Sequence, residues 1–379
     1  MWVEKKRKMH LQRLILTDFK NIRSADITLS KSVNCFSGNN GAGKTNVLDA
    51  VHYLSMTRSY FGQTDAHAIF FGAPFFALSG FYHFENAPSE HIVCVAEAAG
   101  EKSVKRNGKV YTRFSEHLGL IPIVMVSPSD TLLINGSAEE RRRFMNVLLS
   151  QMDIEYLSVL QHYNKVLAQR NHYLKQGVYT QDVMEALNVQ LSVKATELHA
   201  KRTALCAQLA PEAEKYYATL SGDAEKLGLV YRSDLEHACL EDLLKEALPR
   251  DRMLGYTSQG IHRDDVELML NEQSVRKFGS QGQQKTFLVA LKLAQFEVMK
   301  QRSGKAPILL LDDIFDKLDM NRVSFLLQLV AQDHFGQIFI TDSNKARIEG
   351  VIDRFTNEYS FFDVENGAIK GKKEEKYET

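Results

Sequence analysis

Along this chain the spacing of apolar residues alternates between the two-residue period of strands and the longer period of helices. Leu11 to Phe19 carries the apolar positions of a strand, and Ala25-Asp26-Ile27-Thr28-Leu29 alternates with period two, as a half-buried strand does. Val33-Asn34-Cys35-Phe36 reads as a short buried strand, and Thr45 to Tyr53 as a helix with Val47, Leu48, Val51 and Leu54 on its inner face. Residues 55–73 are polar and glycine-dotted, so a loop with a short helix is expected. Phe76 to Phe84 and His91 to Ala98 predict two antiparallel strands. Asn107-Gly108 between Ser103–Arg106 and Lys109–Tyr111 predicts a hairpin, because both turn residues tolerate positive φ. Ile121 to Val126 is a further strand, ended by Ser127-Pro128.

The period then becomes helical. Ser137-Ala138-Glu139-Glu140 has the form of a capping box. From Glu139 to Lys175 helix formers dominate, with Phe144, Val147, Leu148, Leu157, Leu160 and Leu167 at helical spacing. After Gly177 the pattern resumes from Gln181 to Leu209, through Val183, Leu187, Leu191, Leu198 and Leu205, until Pro211 stops it or restarts another helix. Two long helices with a short connection predict an antiparallel hairpin, the second roughly 45 Å long at ~1.5 Å per residue. Residues 221–275 are mixed: strand at Leu227–Tyr231, helix at Leu235–Leu248, strand at Val266–Leu270. A helix is expected from Gly282 to Arg302. Ile308–Leu311 and Gln337–Thr341 read as buried parallel strands around a helix at Asn321–Asp333, and Asn366-Gly367 as a last hairpin.

Composition narrows the class. Of 379 residues, 44% are hydrophobic and 25% charged, which suits a globular protein with more than one packed unit. Lys+Arg and Asp+Glu both number 47, so nucleic-acid binding has to come from local basic patches. Cys35, Cys94, Cys206 and Cys239 form no C-x-x-C pair, which points to reduced thiols in a cytosolic protein and away from zinc. No stretch is long and apolar enough for a membrane helix, so no membrane partner is expected. Residues 1–8, with Lys5-Lys6-Arg7-Lys8, are expected to be a disordered extension ahead of a natural start at Met9. A DNA-touching arm is the alternative. The charged residues 370–379 are expected to be disordered as well.

Gly38-Asn39-Asn40-Gly41-Ala42-Gly43-Lys44-Thr45 fits G-x-x-x-x-G-K-[ST] between the predicted strand and helix. Such a loop turns its N–H groups inward around the phosphates of a nucleotide. Lys44 reaches the β- and γ-phosphates, and the Thr45 hydroxyl sits on Mg²⁺. Asp312 and Asp313 emerge at the end of the apolar run 308–311. Asp312 is expected to hold the Mg²⁺ through water, and Asp313 to act as general base on the attacking water. Ser280-Gln281-Gly282-Gln283-Gln284 directly precedes the predicted helix 285–302. A serine and a helix N-terminus form a second anion site, of which Ser280, Gly282 and Gln283 are the expected contacts. The plain alternative is an ordinary helix cap.

With both phosphate motifs present, this stretch resembles the S-x-G-Q signature of ATP-binding-cassette ATPases, which meets the nucleotide held by the opposite subunit. Asp316-Lys317-Leu318-Asp319 resembles their D-loop, and Asp342 or Ser343 falls at the place of their switch residue. Leu14-x-Leu16-x-x-Phe19-Lys20-Asn21-x-Arg23 resembles the start of DNA-repair members related to Rad50 and the SMC proteins. Arg58-Ser59-Tyr60, Pro128-Ser129-Asp130, Gly136-x-x-x-Glu140-Arg141-Arg142-Arg143-Phe144 and Gly260-Ile261-His262-Arg263-Asp264-Asp265 are similar to the RecF family. Ser129 and Asn146 depart from that family's usual acidic residues.

The resemblance implies an α/β, two-lobed, ABC-type (Rad50/SMC-like) ATPase head with an antiparallel β subdomain and a mainly helical second lobe. Lobe I would combine residues 9–120 with 303–369, and lobe II would be residues 121–302. It implies an ATP-dependent homodimer with two ATP molecules and Mg²⁺ between subunits, acting on double-stranded DNA at gaps and single-strand/double-strand junctions. RecO, RecR and, indirectly, RecA are the implied partners, slow ATP hydrolysis the release step, and the nucleoid the place of work. A Rad50- or SMC-like head working with a nuclease or as a clamp is the alternative, although the long heptad insertion it needs is missing. A nucleotide-binding module without hydrolysis is another, since Asp313 is shorter than the usual glutamate. Lys102, Lys105, Arg106, Lys109 and Arg113 gather on the Asn-Gly hairpin, where they suit DNA phosphates or a solvated charged face. Arg141–Arg143 are expected to be structural, organising the capped helix or pairing with Glu139 and Asp130, and His262–Asp265 to form an internal salt-bridge network.

Overall fold

The computed structural model describes residues 9–85, 87–222, 225–314, 320–330, 333–344, 350 and 358–372. Residues 1–8 and 373–379 lie outside them, as does the D-loop candidate Asp316-Lys317-Leu318-Asp319.

The chain forms two compact units. The first takes residues 9–130 and 295–372. It opens with β1 (Met9–Phe19), β2 (Ile22–Thr28) and β3 (Val33–Ser37), followed by α1 (Lys44–Met56). β4 (Phe75–Phe84), β5 (Ala87–Glu97), β6 (Lys102–Arg106), β7 (Lys109–Val110) and β8 (Ile123–Val126) follow. The second unit, residues 131–294, holds α2 (Leu132–Asn135), α3 (Ala138–Met152), α4 (Ile154–Gln176), α5 (Gln181–Ser221), β9 (Leu227–Arg232), α6 (Leu240–Leu254), β10 (Asp265–Leu270), β11 (Gln273–Ser274) and α7 (Val275–Phe278). It also takes most of α8 (Gln281–Ser303). β12 (Ile308–Asp312), α9 (Met320–Val330), β13 (Ile338–Asp342), β14 (Tyr359–Glu365) and β15 (Ala368–Lys372) complete the first unit.

Two sheets build the first unit. One is antiparallel in the order β2-β1-β4-β5-β6-β7. The other runs β15-β14-β3-β13-β12-β8, parallel except for the β14–β15 hairpin. α1 contacts strands of both sheets, and Val47, Leu48, Val51 and Leu54 are fully buried. A helix covered on both sides has little polar face left, and His52 and Ser55 are buried with the rest. Ile308–Leu311 are wholly buried, as the unbroken apolar run predicts for an inner parallel strand. β8 pairs with β12, so residues 121–130 belong with this unit, as do the last turns of α8. Lys370, Gly371 and Lys372, expected to be disordered, instead lie in β15, where pairing with β14 satisfies their backbone.

The second unit is mainly helical around the small sheet β11-β10-β9. Three expectations change here. The capping box at Ser137 makes no side-chain cap hydrogen bond, and only its carbonyl receives the Glu140 N–H, at 3.2 Å. The run 139–175 breaks at Asp153, whose carboxylate caps α4 through the N–H groups of Glu155 and Tyr156. The buried face of α4 is then Tyr156, Tyr163, Val166, Arg170 and Leu174, not the leucines at 157, 160 and 167. α5 runs through Pro211 for 41 residues, because Ala213, Tyr216, Tyr217 and Leu220 continue its buried face beyond the proline. Packing thus outweighs the ~3 kcal/mol a proline costs inside a helix. α6 does the same at Pro249.

Candidate functional site

In the parallel sheet β13 lies between β3 and β12, and the register sets Asp312 beside Thr341 and Asp342 beside Ser37. The carboxyl ends of three neighbouring strands therefore open onto one place, the usual ligand position of such sheets. The loop from β3 arrives there and α1 starts from it. Helix α1 carries no acidic residue in its first turn, which leaves its N-terminal dipole free to attract an anion. Gly43 has φ 117°, and a Cβ on it would lie 2.7 Å from Asn21 Oδ1, so only glycine serves at that point of the loop.

Lys44 is 6% exposed, and its ammonium donates to the carbonyls of Gly38 (2.6 Å) and Asn39 (3.0 Å). Thr45 Oγ1 donates to Asp312 Oδ1 at 2.8 Å, and Thr341 Oγ1 donates to the same oxygen at 2.8 Å. Burial pushes the Asp312 carboxyl above its ordinary range, against the pull of both threonines, and the charge of Asp313 adds to the push. The donor set fits Mg²⁺: a hydroxyl and a desolvated carboxylate oxygen meet, and a divalent cation would offset the burial of that charge. Asp313 stands at φ 46°, its N–H shared by Thr341 Oγ1 (3.0 Å) and Thr341 O (3.3 Å). Asp342 is fully buried and accepts from the Asn344 N–H at 2.7 Å, while Ser343 is exposed.

The structure thus joins Gly38 to Thr45 with Asp312 and Asp313 in one unit. Ser280, Gly282 and Gln283 belong to the other unit, at the start of α8. Ser280 Oγ accepts from Gln283 N at 3.2 Å, and Gln283 Oε1 accepts from Ser280 N at 2.7 Å, which is a reciprocal capping box. Gln283 Nε2 also donates to Glu225 at 2.7 Å. The serine hydroxyl accepts the cap bond through oxygen, so its proton can still be given to an anion.

Three further features of the site went unread in the sequence. Asn21 donates to the carbonyls of Ala42 (3.2 Å) and Gly41 (3.4 Å), and Lys20 pairs with the buried Asp49 at 2.7 Å. Asp49 also accepts from Ser59 Oγ and the Tyr60 N–H, which ties down the segment carrying Arg58. Thr341 is the second clamp on Asp312. The stretch Phe19-Lys20-Asn21 was the available signal for the first two, but spacing alone does not say what it touches.

The basic hairpin divides. Lys102 is held by Asp65 (3.0 Å) and the Thr57 carbonyl (2.5 Å), with the Tyr53 ring beneath it, and so is removed from the DNA candidates. Arg106 is paired with Glu90. Lys105, Lys109 and Arg113 remain exposed. Arg141 holds the entry to the capped helix through the Leu133 (3.1 Å) and Gly136 (3.2 Å) carbonyls, and its acidic partner is Asp265 (2.6 and 2.9 Å), not Glu139 or Asp130; Arg142 donates to the Asp264 carbonyl. Asp130 instead takes Tyr60 Oη and the Ser127 N–H.

Of the expected internal salt-bridge network, Asp264 and Asp265 face arginines, whereas His262 is held by uncharged partners. It bonds to Tyr163 Oη (2.8 Å) and the Thr257 carbonyl (3.0 Å), while Asp264 receives Tyr231 Oη and lies 3.8 Å from Arg202. Among the described residues no group of three or more His, Cys, Asp or Glu side chains is placed to hold a metal. Burial lowers the His262 pKa from 6.5 to about 4. Between those values the unfolded chain binds a proton that the folded one refuses, so stability should fall as pH drops through that window, by roughly 3 kcal/mol at most. Urea titrations at pH 7 and pH 4.5 on wild type and His262→Gln check this: the variant should lose less stability on acidification, and equal losses would assign the effect to other groups.

The chain matches the model of the RecF/RecN/SMC N-terminal domain over residues 10–369. It is 43% identical to the DNA replication and repair protein RecF of Bacteroides fragilis over 362 residues, 95% of this chain and 98% of that protein. RecF of Parabacteroides distasonis is 44% identical over 362 residues, 96% of this chain and 99% of that protein. A solved structure of the recombination mediator protein RecF with ATP, in the RecFOR pathway, superposes with a TM-score of 0.88 at 26% identity, covering 98% of this chain and all of that one. An Smc head domain from Pyrococcus furiosus shares the fold, at a TM-score of 0.58 and 17% identity over 96% of each chain. No helix among the described residues is long and apolar enough to cross a membrane.

Proposed function

Because the chain belongs to the RecF family of DNA replication and repair proteins, we propose that it is an ATP-dependent DNA-binding protein of recombinational repair. It forms an ATP-induced homodimer at single-strand gaps and duplex junctions and works with RecO and RecR to promote RecA loading, in the cytoplasm on the nucleoid. The observation that carries this reading is the meeting of Thr45, Asp312 and Thr341 at the ends of three parallel strands, beside a loop whose buried lysine is held by the loop's own carbonyls. ATP-bound RecF of the same fold supports the choice of nucleotide.

Lys44 and the N–H groups of residues 39–45 bind the phosphates. Thr45 and Asp312 hold Mg²⁺, which when bound offsets the negative charge of the β- and γ-phosphates. Asp313 orients the attacking water and takes its proton. An aspartate reaches less far than a glutamate, which favours slow hydrolysis and use as a switch over high turnover. The γ-phosphate of one protomer would meet the Ser280 cap, Gly282 and Gln283 of its partner, so removal of that phosphate releases the pair and with it the DNA. Lys105, Lys109 and Arg113 are the exposed candidates for DNA phosphates. A head acting with a nuclease or as a structural clamp is the alternative reading, supported by shared fold alone.

Ser280→Arg tests the dimer. ATP affinity of the monomer should stay within about twofold of wild type, while sedimentation velocity with ATP and gapped DNA shows no dimer. Dimers that persist in this variant would overturn the contact across subunits.

A further inference from the structure

The phosphate loop is bounded by a strand and a helix, yet two hairpin turns from distant parts of the chain hold its middle. From the β1–β2 turn, Asn21 Nδ2 donates to Ala42 O at 3.2 Å, and Asn21 Oδ1 accepts from Asn46 Nδ2 at 2.7 Å. From the β14–β15 turn, the Gly367 N–H donates to the same carbonyl, Ala42 O, at 2.8 Å. The three segments meet at distances that only glycine permits. A Cβ on Gly367 (φ 81°) would lie 2.1 Å from the Asn21 carbonyl oxygen, and one on Gly38 would lie 2.1 Å from the Val364 carbonyl oxygen.

We propose that Asn21 and Gly367 are positioning residues of the nucleotide site. Their donors converge on one atom, the Ala42 carbonyl oxygen, whose two acceptor sites take one donor from each turn, while Asn21 also reaches the neighbouring Gly41 carbonyl at 3.4 Å. In a trans peptide the C=O and the following N–H point in opposite directions. Holding the Ala42 carbonyl outward, between the two hairpins, therefore turns the Gly43 N–H inward to the phosphate side. Neither Asn21 nor Gly367 has to touch the nucleotide. Their contribution is to order the loop beforehand, so that binding does not bear the cost of ordering it. The C-terminal hairpin thereby becomes part of the nucleotide site, although its sequence carries no nucleotide motif. The inference rests on the reading of this loop as an ATP site.

The test measures equilibrium ATP binding by wild type, Asn21→Ala, Gly367→Ala, the double variant and Lys44→Ala, with circular dichroism and melting temperature of each protein without nucleotide. Each single change should weaken ATP binding about tenfold. The double variant should bind no worse than the weaker single one, since both donors act on one carbonyl. Asn21→Ala leaves the backbone untouched, so it decides the matter if Gly367→Ala loosens the hairpin. With selectively ¹⁵N-labelled glycine, the Gly43 amide resonance should move on ATP addition in wild type, and should move much less in saturated Asn21→Ala. Wild-type affinity in both single variants while Lys44→Ala loses binding would overturn the brace and spare the ATP site. So would losses that multiply in the double variant, or an unchanged Gly43 shift. Wild-type ATP binding by Lys44→Ala would remove the ATP site itself, and this inference with it.

Discussion

Lys44→Ala is expected to lose ATP affinity by at least about a hundredfold, and ATP-dependent DNA binding should disappear with it. Lys44 is already nearly dry, and its partners in the structure are the Gly38 and Asn39 carbonyls. Exchanging these dipoles for the full charge of phosphate oxygens is a large gain for a side chain already shielded from water, and alanine forfeits it. The Mg²⁺ held by Thr45 and Asp312, the helix dipole and the loop N–H groups would remain, but none of them replaces an ammonium reaching the β- and γ-phosphates. Calorimetry measures the first effect. Fluorescence anisotropy on gapped DNA at fixed salt, with and without ATP, measures the second; salt must be held constant because phosphate contacts are screened by it. Equal wild-type DNA affinity with and without ATP would sink the coupling of nucleotide to DNA.

The second large effect lies in the helical unit. Arg170 and Asp251 are both fully buried and 2.7 Å apart. Arg170 also bonds Asn188 Oδ1 (2.9 Å) and Thr257 Oγ1 (2.8 Å), and Asp251 accepts the Ser258 N–H (2.9 Å) and Oγ (2.6 Å). Together they join α4, α5 and α6 in a closed polar cluster. Asp251→Ala should destabilise the protein by about 3–5 kcal/mol, because it strands a guanidinium in the interior. The corresponding fall in melting temperature is roughly 10 °C. The joint change Arg170→Met with Asp251→Leu should cost clearly less, since no charge is then left buried. Thermal and urea unfolding of the two variants decide it. A loss of under about 1 kcal/mol in Asp251→Ala would mean that water reaches Arg170 and the cluster is not closed.

Much of the geometry of the candidate phosphate site was legible in the sequence because its requirements are local. Glycines at fixed offsets, a lysine and a threonine at the next helix start, and an apolar run ending in two aspartates each state a backbone shape or a charge within a few residues. The hairpin at Asn107-Gly108 and the inner strands at 308–311 and 337–341 were readable for the same reason, and Asn107 (φ 50°) and Gly108 (φ 81°) take the conformations their residue types favour. Reading failed where a second element decides the outcome. The capped break at Asp153 and the face that α4 buries follow from what packs against that helix. Lys102 looked like part of a basic patch until Asp65 and the end of α1 were brought against it.

By itself the sequence determined the glycine loop between β3 and α1, the acidic strand end, the capped start of α8 and the class of the fold. These depend on short-range geometry and on the burial of continuous apolar runs. Only the tertiary structure decided that Thr341 stands beside Asp312, that Arg141 answers to Asp265, and that Asn21 and Gly367 close on one loop carbonyl. Those contacts join segments far apart in the chain, and their energy exists only once sheet order and register have set the partners within hydrogen-bond reach.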